Sequence, residues 1–220
     1  MAFLVVKEES VAQEGGSNYI TKSGIYPVNL KHAEAVTTAN GAVQVNYFFD
    51  KAMSYGNNII GVNGQPTFGY NILEALTTVV GHDELSDAEP TTVTFKKGSK
   101  ELNCIPELND VDLKAWIQFS YRMYKGEIQE GVSVRRFYRE SDNAAGSEII
   151  KDEVPGTRYA KDLEVADEIK YEDGVTPEAV AAWKKAQQGG GTPAAASAAP
   201  KATGGFPGAS KPAAGFPGAK

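Results

Sequence analysis

Hydrophobic and polar residues alternate with a period of two through the early part of the chain. After a weak apolar run at residues 3–7, Tyr26, Val28 and Leu30 alternate with Pro27, Asn29 and Lys31. That is the pattern of a strand with one buried face. Asn40-Gly41 is a hairpin turn signal. The return strand sets Val43, Val45, Tyr47 and Phe49 on one face and Gln44, Asn46 and Phe48 on the other. A third strand is predicted at 57–62, bounded by Gly56 and Asn63-Gly64. The period then lengthens. Phe68 or Gly69, Ile72, Leu73, Leu76, Val79 and Val80 fall on one helical stripe, with Thr67 placed to cap its start and Gly81 to stop it. Residues 93–97 and 101–105 make a small hairpin around Lys97-Gly98.

Residues 116–139 form the clearest unit, two strands joined by a turn placed between Glu127 and Gly131. In the first strand Ile117, Phe119, Tyr121 and Met123 share an apolar face, while Trp116, Gln118, Ser120, Arg122 and Tyr124 point the other way. In the second, Arg136 and Tyr138 share parity with Val132 and Val134, which puts Arg135, Phe137 and Arg139 on the opposite face; a one-residue slip inverts such an assignment. The order is three strands, a helix, an inserted hairpin and two strands. It predicts a mainly β fold of OB type: a five-stranded, partly open barrel with one helix between its third and fourth strands, followed by a C-terminal helix and a disordered tail.

After Arg139 the chain turns polar. A short helix is predicted at 161–170. Thr176-Pro177-Glu178 opens a better one, with Thr as cap and Pro at the first helical position. It runs to about Gln188, where Gly189-Gly190-Gly191 ends it. Val180, Trp183 and Lys184 form a narrow stripe suited to docking on the barrel. The remainder is Ala, Gly, Pro, Ser and Lys, and carries the repeat Gly205-Phe206-Pro207-Gly208-Ala209 and Gly215-Phe216-Pro217-Gly218-Ala219. Such composition predicts disorder, with Phe206 and Phe216 as candidate partner-docking anchors. The expected organisation is a lead at 1–23, an OB-like domain at 24–140, an acidic segment with a helix at 141–188 and a tail at 189–220.

Charge changes the picture. The chain carries a net −6 with pI about 5.1, so it is not a generally basic polyanion binder. The distribution is uneven, however. Residues 93–139 hold nine Lys/Arg and six Asp/Glu, whereas residues 140–175 hold four and eleven. Local potential, not net charge, steers a polyanion. One cysteine, Cys104, excludes an internal disulfide framework and reads as a buried small residue. The chain shows no secretory signal pattern and no apolar run of membrane-spanning length. A cytoplasmic setting is expected.

Catalytic chemistry finds little support. His32 and His82 are far apart and Cys104 is alone, so zinc spacing is missing. There is no Gly-x-Ser-x-Gly elbow. The Gly61 to Gly64 stretch lacks the Lys of a phosphate loop. No catalytic residue, metal or other cofactor is expected. What stands out instead is the alternation of aromatic and basic residues in the 116–139 hairpin. Aromatic faces stack on bases, at about 1–3 kcal/mol per base, while Lys and Arg follow phosphates. Phe48, Trp116, Tyr124 and Phe137 are the candidate stacking residues. Lys96, Lys97, Arg122, Lys125, Arg135 and Arg139 are the candidate phosphate contacts.

Three stretches carry a family resemblance: Ser23-Gly24-Ile25-Tyr26-Pro27-Val28-Asn29-Leu30, then Phe68 to Leu76, then Val134-Arg135-Arg136-Phe137-Tyr138-Arg139-Glu140-Ser141-Asp142. Together they resemble a group of bacteriophage single-stranded-DNA-binding proteins, over roughly residues 20 to 185. The resemblance implies an OB-fold and coating of single strands in phage DNA replication and recombination. Bacterial single-strand binders commonly end in an acidic tip with a terminal Phe. Residues 215–220 here read Gly-Phe-Pro-Gly-Ala-Lys and depart from that pattern.

The expectation is thus a non-enzymatic single-stranded-DNA-binding protein, compatible with a homo-oligomer, whose tail engages replication or recombination proteins. The acidic segment after Glu140 is expected to shield the DNA groove in the free protein. The alternative is a protein-interaction or virion structural module without nucleic-acid binding. A lesser rival is a metal-dependent enzyme using the loop carboxylates Asp83 and Glu84.

Overall fold

The computed structural model describes residues 19–95 and 98–188, with the side chains of 53–55 and 188 left aside. The fold is mainly β. An eight-stranded sheet, antiparallel apart from its last strand, carries a few helices. Its strands are β1 (Gly24–Thr37), β2 (Val43–Phe49), β3 (Met53–Ile60), β4 (Glu89–Phe95), β5 (Gly98–Cys104), β6 (Val111–Tyr124), β7 (Glu127–Arg139) and β8 (Lys170–Tyr171). The helices are α1 (Phe68–Val79), α2 (Gly146–Ile150), α3 (Thr157–Leu163) and α4 (Pro177–Gln188).

β1 organises the sheet because it is long enough to serve different partners along its length. One edge carries β2, from Leu30 opposite Phe49 to Thr37 opposite Val43. Its other edge takes β6 along Gly24–Leu30 and meets β5 at Glu34 opposite Cys104. β6 in turn outruns β1. Past the start of β1 its edge is taken by β8, which pairs in parallel at Ser120 and Tyr121. β3 and β7 approach each other, and no pairing between them is formed among the described residues. α1 packs against both. The sheet is therefore open, and its eight strands exceed the five of the expected barrel.

The core follows the predicted alternation. Val45, Tyr47 and Phe49 of β2 and Leu113, Ala115, Ile117 and Phe119 of β6 are buried together with Ile72, Leu73, Leu76 and Val79 of α1. Thr67 caps α1, accepting from Gly69 N at 3.2 Å. Gly81, at φ +83°, closes it. The first buried position of the stripe belongs to Gly69 and not to Phe68, which stands 61% exposed. Glycine is needed there because a Cβ would run into the Asn58 carbonyl of β3.

Two features depart from expectation along the β6–β7 hairpin. The turn is tighter and earlier than placed. Tyr124 pairs with Glu127, leaving only Lys125 and Gly126 between the strands. Both have positive φ, +51° and +83°, the conformation of a type I′ hairpin turn. Met123, expected in the core row, is exposed near this tip. Second, a β-bulge interrupts the pairing: Trp116 faces Arg136 while Ile117 faces Val134, so Arg135 is the extra residue. A bulge shifts side-chain parity by one. Phe137 therefore joins Val134 in the core, and Arg136 and Tyr138 turn to the outer face.

The acidic segment is part of the fold. α3 and the loop after it lie on the outer face of β6 and β7, where Trp116 Nε1 donates to the Ala166 carbonyl at 3.3 Å and Tyr138 meets the Tyr159 ring edge-on at 5.2 Å. α4 caps the inward row beyond the start of β1. Val180, with Val175, packs on Tyr121, and Trp183 covers them. No helix among the described residues is long and apolar enough to cross a membrane.

Candidate nucleic-acid interface

The tip of the β6–β7 hairpin gathers three of the predicted site residues. Tyr124 ends β6 and is 48% exposed. The Arg122 guanidinium lies 5.9 Å from its ring centroid and the Lys125 ammonium 5.3 Å. Arg122 and Tyr124 share a face because they are two apart on a strand. Lys125 joins them because the type I′ turn rotates it over the ring. Neither cation forms a salt bridge among the described residues; Arg122 has only a long contact to the Gln129 side chain, 3.5 Å. A ring flanked by two cations outside any salt bridge among the described residues has the chemistry of a stacking site with phosphate contacts on either side.

Arg135 makes a second such unit, away from the tip. The bulge that displaces it from the sheet's parity leaves it exposed, with its guanidinium 5.7 Å from the Phe68 ring centroid at the start of α1. No carboxylate pairs with it among the described residues. Phe68 was not among the predicted site residues. The signal that could have found it is its place directly after the helix cap, one residue off the apolar stripe.

Four predicted contacts fall elsewhere. Phe48 is buried on the outer face of β2, where the β4–β5 hairpin covers it: it clusters with Val93, Leu102 and Cys104 and lies 5.9 Å from Phe95, ring to ring. Trp116 points outwards as predicted, but the chain around Ala166 covers it and takes its N–H. Phe137 is fully buried between Tyr47, at 5.3 Å, and Phe49, at 6.3 Å. Arg139 is spent on Asp142, to which Nε and Nη2 donate at 3.0 and 2.6 Å. That pairing holds the guanidinium's pKa above its usual value and the Asp142 carboxyl's below. Lys96 and Lys97, like Phe206 and Phe216, lie outside the described residues.

The chain matches no family model, no curated protein and no solved structure.

The acidic segment is held by its own polar centre. Asp162 accepts from the buried Tyr138 hydroxyl at 2.8 Å, pairs with Arg136, and lies 3.7 Å from Arg158 Nε. Burial, then the Asp162 hydrogen bond, pushes the Tyr138 phenol pKa far up. Glu148, itself buried, accepts from the backbone N–H groups of Ala145, Gly156 and Arg158 at 2.8, 3.3 and 2.6 Å. These carboxylates are satisfied by the protein's own donors, which marks them as structural. No group of three or more His, Cys, Asp and Glu among the described residues is placed to hold a metal ion. Cys104 is buried, and burial raises its thiol pKa, which is the environment of an unreactive cysteine.

Proposed function

We propose that the protein binds single-stranded DNA, without catalysing a reaction, through the tip of the β6–β7 hairpin. The observation that carries this reading is the Arg122–Tyr124–Lys125 cluster: one open ring between two cations, set on a two-residue turn that fixes their geometry. A rigid aromatic platform loses little entropy on stacking, and the flanking cations release counterions when they meet phosphates. The strand plan supports the reading. β1–β2–β3, a helix, then β6–β7 returning to β1 is the order of an OB-fold, opened between β3 and β7. In that fold the hairpin corresponding to β6–β7 is a nucleic-acid-binding loop. The likeness of residues 23–30, 68–76 and 134–142 to phage single-strand binders agrees with it, and replication or recombination would be its setting.

The interface in this reading is smaller than the sequence suggests. Tyr124, Arg122 and Lys125 remain, Arg135 stands apart with Phe68, and Phe48, Trp116, Phe137 and Arg139 serve the fold. The test is fluorescence anisotropy with labelled oligo-dT of about 30 nucleotides, well above the roughly 4–16 nucleotides one such domain covers. Low and high salt are compared, with a duplex control. Binding to the single strand that weakens with salt, and that Tyr124→Ala reduces about 5-fold or more, is the expected result. No binding at low salt retires the proposal in favour of a protein-interaction or virion structural module. Deleting residues 189–220, with Phe206 and Phe216, is the next step in that case.

A further inference from the structure

A small cleft of about 180 Å³ opens where α1 begins beside the bulge of β7, lined by Phe68, Asn71, Arg135 and Ser147 among others. Arg136 also lines it but is paired with Asp162, whereas Arg135 and the Phe68 ring are both exposed. Keeping them so has two structural causes already described. The bulge turns Arg135 out of the sheet, and Gly69 takes the buried position that would otherwise draw Phe68 inwards. A single exposed Phe is ordinary on a protein surface; what marks Phe68 is the guanidinium against its ring, which pairs with no carboxylate among the described residues. Guanidinium and ring together suit a phosphate next to a flat base.

We infer that the Phe68–Arg135 cleft is a second nucleotide contact, so that one DNA strand bridges it to the hairpin tip. This rests on the single-strand reading of the tip. The cleft is smaller than the roughly 300–1,000 Å³ of pockets that enclose free small molecules. It therefore holds a phosphate beside a base stacked on the open ring, as part of a polymer, and not a free mononucleotide. Asn71 and Ser147 supply neutral hydrogen-bonding groups at its wall. Lys125 in the turn and Arg135 on β7 are about ten residues apart along the chain, so at most about 33 Å. That limit corresponds to up to about ten nucleotides at the stacked spacing of about 3.4 Å, within the range one OB-type domain covers.

The test measures affinity of the full chain for an oligo-dT series from about 5 to about 25 nucleotides, spanning the predicted site. Wild-type affinity is expected to climb to about ten nucleotides and then level. Phe68→Ala should level earlier and bind the longest oligonucleotide about 5-fold or more weakly, the low end of one lost stack. Arg135→Glu, at an exposed position, gives an independent variant with the same expected change. If both variants keep the wild-type climb and long-oligonucleotide affinity while Tyr124→Ala weakens binding, this inference is overturned and the tip site stands. If wild type binds no oligonucleotide of the series, both fail together.

Discussion

Tyr138 and Asp162 meet where the acidic segment lies on the hairpin, the phenol donating to the carboxylate at 2.8 Å from a fully buried position. Arg136, the neighbour of Tyr138, pairs with the same carboxylate. The bulge at Arg135 makes this possible, because without it Arg136 and Tyr138 would face the apolar core. One extra residue in β7 thus packs Phe137 inside, anchors the acidic segment outside and leaves Arg135 free at the edge.

Asp162→Ala should therefore cost about 3 kcal/mol, since it strands a buried hydroxyl and a largely covered guanidinium. At roughly 2–4 °C per kcal/mol for a domain of this size, the melting temperature falls by roughly 6–12 °C. Asp162→Asn keeps an acceptor for Tyr138 and should lose less. Thermal unfolding followed by circular dichroism checks both. A drop under about 1 °C for the Ala variant would mean that the segment is not held here.

The same anchoring revises the idea of a detachable acidic shield. The segment covers Trp116, Tyr138 and, through α4, Tyr121. Its removal exposes aromatic surface and breaks the Asp162 centre. Truncation at Glu140 should give a protein that loses cooperative unfolding and binds a hydrophobic dye, and not one with higher DNA affinity. A well-folded truncated protein that binds oligo-dT more tightly would restore the shield.

Lys125→Asn separates charge from turn geometry. Asn tolerates positive φ better than Lys, so the turn keeps its shape and stability is unchanged or slightly improved. Oligo-dT affinity should fall, and the slope of log affinity against log salt should become shallower by about 0.7, the value for one phosphate contact on a single strand. The salt titration reads this directly. An unchanged slope removes Lys125 from the interface.

What the sequence made legible was periodicity. The β2 alternation of Val45, Tyr47 and Phe49, the α1 stripe from Ile72 to Val79 with its Thr67 cap, and the Thr176-Pro177 helix start are local patterns, and the structure reproduces them. The misplacements are non-local. The parity of Phe137 depends on a bulge defined only by its partner strand, so counting residues along β7 could not find it. Phe48 and Trp116 do point away from the main core, as the alternation implies. What covers them, the β4–β5 hairpin and the chain at Ala166, arrives from 45 to 50 residues away along the sequence. The turn was misplaced because Lys125-Gly126 is a weaker signal than Asn-Gly, although both residues adopt the same left-handed conformation.

Gly69 and Phe68 should respond oppositely to substitution. Gly69→Ala drives a methyl group against the Asn58 carbonyl and should destabilise by about 1–3 kcal/mol as α1 shifts on β3. Phe68→Ala removes a ring that is mostly in solvent, and should leave the urea midpoint nearly unchanged. Equal destabilisation by the two would make Phe68 a packing residue and weaken its candidacy as a nucleotide contact.

Alkaline pH should unfold the protein through two buried phenols. Burial raises the pKa of Tyr47, and burial together with Asp162 raises that of Tyr138, both far above the ordinary value near 10. Below pH about 10 both states hold these protons and stability does not depend on them. Above it the unfolded chain releases them while the native state keeps them, so stability falls by about 1.4 kcal/mol per pH unit for each phenol. Urea denaturation at increasing alkaline pH should show a declining midpoint, steepest above pH about 10. Tyr47→Phe isolates one contribution. Among the described residues the Tyr47 hydroxyl is buried without a hydrogen-bond partner, so its removal should be neutral or stabilising by about 1 kcal/mol at neutral pH. It should also make the alkaline slope shallower by about 1.4 kcal/mol per pH unit. A Tyr47→Phe variant that is less stable by more than about 1 kcal/mol would show that the hydroxyl has an acceptor in solution.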